Sequence, residues 1–94
     1  MIGLPTSFPG FNLRLGSCGS EVQAIQNRLN RIRGNYPGIP AITPADGRYN
    51  DSTVKAVETF QSVFNLPVTG VVDFATWFRI SYIFTAVARL QQGV

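Results

Sequence analysis

The chain has 94 residues, of which 45% are hydrophobic and 14% are charged, so it can build one small packed domain and not two. It contains no histidine and one cysteine, which excludes a histidine-dependent catalytic triad, a histidine-containing metal site and an internal disulfide. The net charge of +3 permits anionic partners without requiring them, and no apolar run reaches the ~18 residues that predict a membrane span.

The start of the chain differs in character from the rest. We interpret residues 1–12 as a lead-in and residues 13–94 as the folded domain. The opening Met1-Ile-Gly-Leu-Pro-Thr-Ser-Phe-Pro-Gly10 lacks the basic start and the apolar stretch of about 7–15 residues that mark a secretory signal. We therefore expect an exported parent protein to contain this chain as an excerpt of a longer polypeptide.

The first predicted helix begins at Ser20 and runs to about Arg33. Ser20-Glu21-Val22-Gln23 has the Ser-x-x-Gln spacing of a capping box, in which both polar side chains satisfy exposed backbone donors. Apolar residues then recur at steps of three and four and form one stripe: Val22, Ile25, Leu29 and Ile32. Gly34 is suited to end this helix.

A connection from Gly34 to Asp46 leads to the second helix and is long for a small bundle. Three prolines restrict it to extended or turn conformations: Pro37, Pro40 and Pro44. Asp46-Gly47 is a turn signal, and either Asn50 or Asp51 can cap the helix that follows. The predicted apolar stripe of this helix consists of Val54, Val57, Phe60 and Phe64.

The third predicted helix is capped by Asp73 and ends at Gln91 or Gln92. One apolar stripe is expected to meet the bundle: Trp77, Ile80, Phe84 and Val87. Beside it lie three residues that we call the aromatic row: Phe74, Phe78 and Tyr82. Because three adjacent exposed aromatic side chains form an unusual patch, we expect the row to be covered, by the lead-in segment 8–11 in preference to another chain.

The first two helices share the pattern Val-x-x-(Ile or Phe)-Gln, at Val22–Gln26 and Val57–Gln61, which alone indicates no more than a helical pair. The surrounding motifs are more specific: Leu15-Gly16-Ser-Cys-Gly19-Ser-Glu-Val22, Asp46-Gly47-Arg-Tyr49-Asn50-x-x-Thr53, and Gly70-Val71-Val72-Asp73-x-x-Thr76-Trp77. With these motifs in this order, the chain resembles the peptidoglycan-binding domain 1 family over roughly Leu13 to Ile80.

This resemblance implies an all-α fold, a small three-helix bundle with a long proline-rich loop between helices 1 and 2. It also implies a noncatalytic wall-binding module of the kind attached to cell-wall hydrolases and to spore-cortex or phage lytic enzymes. The implied partners are the glycan strand or the stem peptide of peptidoglycan, together with other domains of a longer parent protein, in the cell wall, the spore or the extracellular space. It implies no metal and no cofactor. The alternative function is a protein interaction module that packs on a neighbouring domain through the aromatic row.

Several polar residues near the helices are of types that can act in catalysis or binding, but their positions favour structural roles. The five carboxylates lie at turns, caps, a helix first turn or a polar helix face, and we interpret them as structural: Glu21, Asp46, Asp51, Glu58 and Asp73. Gln26 and Gln61 lie beside apolar stripes, where we expect their amides to brace helix against loop backbone. We expect Trp77, at helical spacing with Ile80, to be a core residue and not a sugar platform.

The candidate ligand groove lies between the long connection and the Asp-Gly turn, since loops on a rigid scaffold often carry binding. Its five predicted residues are Asn35, Tyr36, Arg48, Tyr49 and Asn50. The tyrosines offer flat faces to sugars, the asparagines offer donors and acceptors, and the arginine can hold a stem-peptide carboxylate. A structural role stays open for Tyr49, where the resembled family usually has a core-facing Phe, and for Asn50 as a cap. No nucleic-acid motif accompanies the scattered arginines, so we expect no nucleic-acid partner.

Overall fold

Three α-helices make up the computed structural model of the chain, which describes residues 7–91. α1 spans Ser20–Ile32, α2 spans Asp51–Val63 and α3 spans Phe74–Leu90. Within residues 7–91 there is no strand, and β-pairing is limited to two isolated bridges. The predicted all-α, three-helix fold is confirmed. Residues 1–6 of the lead-in and the alternative helix end at Gln92 lie outside the described residues.

The helix starts follow the predicted caps in two cases out of three. The Asn50 side chain accepts a hydrogen bond from the backbone amide of Thr53 at the start of α2, at 3.0 Å. The Asp73 side chain accepts one from the amide of Thr76 at the start of α3, at 2.9 Å. Both arrangements satisfy a backbone donor that a helix start otherwise leaves free.

The capping box predicted at Ser20 is wrong. Gly19 occupies the N-cap of α1 without a side-chain cap, and Ser20 is already helical. The Gln23 amide reaches across to the backbone carbonyl of Ala45, at 3.3 Å, and not back to the start of its own helix. The reason is tertiary: the Gly19 amide donates to the carbonyl of Gly47, at 2.9 Å, so pairing with a distant turn positions the start of α1.

The core lies between the three helices and is completed by residues from the connections. The whole α1 stripe is buried as predicted, as are Val57 and Phe60 of α2. Val54, Phe64 and Phe84 are only half-buried at the edge of the core. The connections contribute five further buried side chains: Leu13, Ile39, Ile42, Tyr49 and Val72. None of the helices in the described part of the chain is long and apolar enough to cross a membrane.

The segment before α1 lies beside two turns, one before each of the other helices. We call these the α2 turn (residues 46–50) and the α3 turn (residues 69–73). Leu13 and Val72 exchange two backbone hydrogen bonds, at 3.0 and 2.8 Å. Tyr49 donates to the carbonyl of Ser17 at 2.9 Å and accepts from the amide of Gly16 at 3.1 Å. The starts of all three helices are thereby tied together by main-chain contacts.

The segment 8–11 does not cover the aromatic row, contrary to the preferred prediction. Phe8 packs edge-on against Phe74 and Trp77, with ring centroids 5.6 and 6.1 Å apart. Phe74, Phe78 and Tyr82 nevertheless remain 61%, 53% and 64% exposed, and Phe11 is exposed as well. Phe8 packs against the first turn of α3 and does not reach Phe78 or Tyr82, which remain exposed to solvent. Coverage by another chain stays a prediction.

Candidate functional site

Gln26 of α1 holds the α2 turn through its side-chain amide. Its Oε1 accepts a hydrogen bond from the Gly47 amide at 2.8 Å. Its Nε2 donates to the Arg48 carbonyl at 2.7 Å and to the Thr53 hydroxyl at 3.1 Å. The side chain is fully buried, so each of these bonds replaces one that water would otherwise make.

Gln61 of α2 holds the α3 turn in the same way. Its Oε1 accepts from the backbone amides of Thr69 and Gly70, at 2.9 and 3.0 Å. Its Nε2 donates to the Val71 carbonyl at 3.0 Å and to the Thr76 hydroxyl at 3.1 Å. The predicted structural role of both glutamines is confirmed. Each side chain links its helix to the turn that precedes the next helix, and we call these two sets of hydrogen bonds the glutamine brackets. The short sequence repeat reflects this equivalence.

Tyr49 does not belong to an accessible groove. Its ring is buried, with 2% exposure, and its hydroxyl donates to the Gly70 carbonyl at 2.6 Å, which links the α2 turn to the α3 turn. Burial, and secondarily the negative charge of Glu58, raises the pKa of the Tyr49 hydroxyl. The core role left open for this position is therefore the one that the structure shows, and the ring offers no face to a sugar.

Because Tyr49 is harder to ionise in the folded protein than in the unfolded chain, we expect its burial to make the fold sensitive to alkali. Below the ordinary pKa of 10.0 both states keep the proton and the stabilisation is intact. Above it the unfolded chain loses the proton first, so the free energy of unfolding falls as the pH rises. Urea unfolding at pH 8 and pH 11 should show a larger loss for the wild type than for Tyr49→Phe. Equal losses in the two proteins would contradict this assignment.

Asn50 and Arg48 also serve the α2 turn. The Asn50 carboxamide oxygen accepts from the Thr53 amide and from the Ser52 hydroxyl, so this side chain acts as the cap. The Arg48 side chain is exposed, while its backbone amide donates to Asp46 Oδ1 at 3.0 Å. Of the three predicted site residues at this end, Arg48 is exposed, Asn50 is half-buried and Tyr49 is buried.

Asn35 and Tyr36 lie at the other end of the molecule from the α2 turn. Tyr36 packs on Phe64 at the end of α2, with ring centroids 5.1 Å apart. The 13 residues of α2 place its two ends about 20 Å apart, at 1.5 Å per residue. The structure therefore brings Asn35 and Tyr36 together, keeps Arg48 with Asn50, and does not join the two pairs into one groove.

Two residues that sequence reasoning missed complete the surface around Tyr36. The Arg79 guanidinium on α3 donates to the Phe64 carbonyl at 3.1 Å, and the Phe64 ring lies between Tyr36 and Phe60. Asn35 Oδ1 accepts from Gln91 at 2.8 Å, and Gln91 also pairs with Arg31. An exposed aromatic ring, a guanidinium and an amide thus lie on this side, which we call the Tyr36 surface (Asn35, Tyr36, Phe64, Arg79). No sequence motif marks this contact, since it depends on where the residue after α2 lies against α3.

Four of the five carboxylates occupy turn or helix-start positions in the structure. Asp46 and Asp73 accept backbone amides at the two turns. Glu21 and Asp51 lie in the first turns of α1 and α2. Within residues 7–91 no three side chains of the metal-binding types cluster. These positions are those of turn and helix-start residues.

The sequence from Cys18 to Ile80, which contains both glutamines and both turns, matches the family described as "Putative peptidoglycan binding domain". The chain belongs to this family. The match covers α1, α2 and the first two turns of α3, so the bracketed turns are part of the shared domain.

Two known proteins are similar to this member of the family. A zinc D-Ala-D-Ala carboxypeptidase of Streptomyces albus G is 35% identical over 65 residues, which are 69% of this chain and 24% of that enzyme. The chain thus spans about a quarter of the length of this relative. The crystal structure of the SleB N-terminal domain superposes with a TM-score of 0.69 at 27% identity, over 83% of this chain and 99% of that domain. This peptidoglycan-binding domain therefore has the fold of a separately solved unit, and the implied wall-binding class is confirmed.

Proposed function

We propose that this peptidoglycan-binding domain is a noncatalytic anchor that holds a larger protein on the cell wall. The family match carries the binding half of this proposal. The anchoring role is supported by the relative lengths of the two proteins. The similar carboxypeptidase is about four times longer than the segment that resembles this chain, so most of that enzyme lies outside the shared domain. The turn and cap positions of the carboxylates support a module that binds while another domain cleaves. Tethering of this kind raises the local concentration of an enzyme at its substrate.

The Tyr36 surface is our proposed contact with the wall polymer. A tyrosine ring that is 36% exposed offers a flat apolar face and a hydroxyl, both suited to a sugar. Arg79 carries further donors that suit a stem-peptide carboxylate, and Asn35 adds an amide. The ligand is the glycan strand or the stem peptide of peptidoglycan, at the bacterial cell wall or envelope. Arg48, at the far end of α2, is left outside this surface.

Sedimentation with purified wall sacculi tests both parts of the proposal. We expect the wild type to pellet with sacculi, and Tyr36→Ala and Arg79→Ala to bind about tenfold more weakly, a change equal to about 1.4 kcal/mol. Arg48→Ala is the matched control, since it removes the same charge at the opposite end of the molecule. Melting curves for all variants separate lost binding from lost folding.

The possible results of this assay lead to different conclusions. A wild-type domain that stays in the supernatant overturns wall binding and favours the alternative of a protein interaction module. Loss of binding in Arg48→Ala with retention in Tyr36→Ala instead locates the contact at the α2 turn. Both results leave the fold and the two glutamine brackets as described.

A further inference from the structure

The aromatic row on α3 is a set of three exposed aromatic side chains that the core does not use. Phe74, Phe78 and Tyr82 follow at intervals of four, which places them on one helix face. The Phe74 and Phe78 rings lie 6.1 Å apart with an angle of 21° between their planes. The opposite face of α3 already supplies Trp77 and Ile80 to the core. The row is therefore available as a surface along the helix axis.

The size of the row argues for a narrow ligand. Aromatic side chains present about 150–250 Å² each, and at roughly three-fifths exposure the row offers roughly 300–450 Å². That is in the range of functional patches on monomers. A stable protein interface needs about 800 Å² on each partner, so the row alone is too small for a second copy or a docked domain. A linear polymer one sugar wide is of suitable size.

The charge of α3 points to the same kind of ligand. The helix contains two arginines and no carboxylate. Arg79 lies next to the row, three residues before Tyr82, where helix geometry makes the two side chains neighbours. Arg89 is exposed and follows Tyr82 by two helical turns on the same face. A glycan strand with carboxylate-bearing peptide stems complements an aromatic track with a guanidinium on either side of Tyr82.

We propose that the aromatic row binds the glycan strand of peptidoglycan by packing its rings against the apolar faces of successive sugars, with Arg79 and Arg89 beside it for the carboxylates of the stems. This inference rests on the proposed wall-binding function and specifies which part of the polymer is held. Arg79 also donates to the Phe64 carbonyl, so this arginine is shared between the row and the Tyr36 surface. Tyr82 and Arg89 lie beyond the segment that matches the family.

The test uses intact sacculi, assayed by sedimentation, and the free glycan strands that an amidase releases from sacculi by removing the stems, assayed by isothermal titration calorimetry. Phe78→Ala and Tyr82→Ala are expected to weaken binding to both preparations about threefold to tenfold each. Phe11→Ala removes an equally exposed phenylalanine outside α3 and should bind like the wild type. The melting temperatures of all three variants should match that of the wild type, because each side chain is more than half exposed.

Several results would overturn the inference. If the wild type and both row variants bind intact sacculi equally well, the proposed role of the row is overturned and the wall-binding function is retained. Weaker binding of the row variants to intact sacculi, with unchanged binding to the free glycan strands, assigns the row to the peptide and not to the glycan. A dimer in sedimentation velocity that Phe78→Ala dissociates assigns the row to a second copy. A wild type that binds neither preparation overturns the wall-binding function itself.

Discussion

Gln61→Ala is expected to lower the melting temperature by at least about 10 °C, since each kcal/mol corresponds to roughly 4–8 °C in a domain of this size. The substitution leaves the buried amide of Gly70 and the buried hydroxyl of Thr76 without Gln61 as their partner, and it removes the half-buried contacts with the Thr69 amide and the Val71 carbonyl. A buried polar group without a partner costs about 1–3 kcal/mol, and alanine is too small for another side-chain contact to replace the lost bonds. The molecules that remain folded should bind sacculi normally, because Gln61 is 1% exposed and belongs to neither the Tyr36 surface nor the aromatic row.

Gln23→Ala provides the control for that measurement. Gln23 is an exposed glutamine whose single amide bond, to Ala45 at 3.3 Å, is long. Its substitution should change the free energy of unfolding by less than about 0.5 kcal/mol, as is usual for surface positions. Similar melting temperatures for the Gln61 and Gln23 variants would show that the bracket at the α3 turn contributes little to stability.

Trp77→Ala is expected to cost about 3–5 kcal/mol, the usual loss for a large aromatic residue in a core. The Trp77 side chain is 2% exposed and is contacted edge-on by the Phe8 ring at 6.1 Å. The Arg28 guanidinium lies over its ring, 5.7 Å from the centroid, so a cation–π contact is lost as well. Such a loss is a large share of the roughly 5–15 kcal/mol that keeps a small domain folded. Urea titration followed by circular dichroism measures it.

Phe78→Ala is the matched comparison for Trp77→Ala, because it removes an aromatic ring one position further along the same helix. Phe78 is 53% exposed, so its loss should change stability by less than about 0.5 kcal/mol. The difference in stability between the two variants tests whether α3 has one aromatic face in the core and another exposed to solvent. A stability loss in Phe78→Ala as large as that in Trp77→Ala would mean that the row is buried in solution, as a covering chain would make it.

The helices and most of the core were predictable because apolar periodicity is a local property. The α1 stripe from Val22 to Ile32 could be read without knowledge of the rest of the chain. The start of α1 could not, since Gly19 is held by Gly47, which lies far away along the chain. A Ser-x-x-Gln spacing describes what two side chains can do in an isolated helix. In this protein the start of α1 pairs instead with the α2 turn, through the Gly19 amide and the Gly47 carbonyl.

The candidate site was harder to predict because it depends on how the helices cross. Asn50 was correctly identified as a possible cap, and the chemistry of Tyr36 remains suited to sugar binding. The grouping of Tyr36 with Arg48 assumed that both ends of the connection between α1 and α2 lie close together. That connection instead runs back along α1, where Asn30 pairs with both backbone groups of Ile42, at 2.8 and 3.1 Å, and Gln23 with the carbonyl of Ala45.

The two glutamine brackets make the geometry of each turn independent of the length of the loop that precedes it. Gln26 reaches Gly47 across 21 positions of the chain, whereas Gln61 reaches Gly70 across 9, and both make the same contact between Oε1 and a glycine amide. A segment inserted between a helix and its bracketed turn therefore need not disturb the next helix start. Variation in the first connection can reshape the outer surface, Tyr36 included, while the helices keep their relative positions.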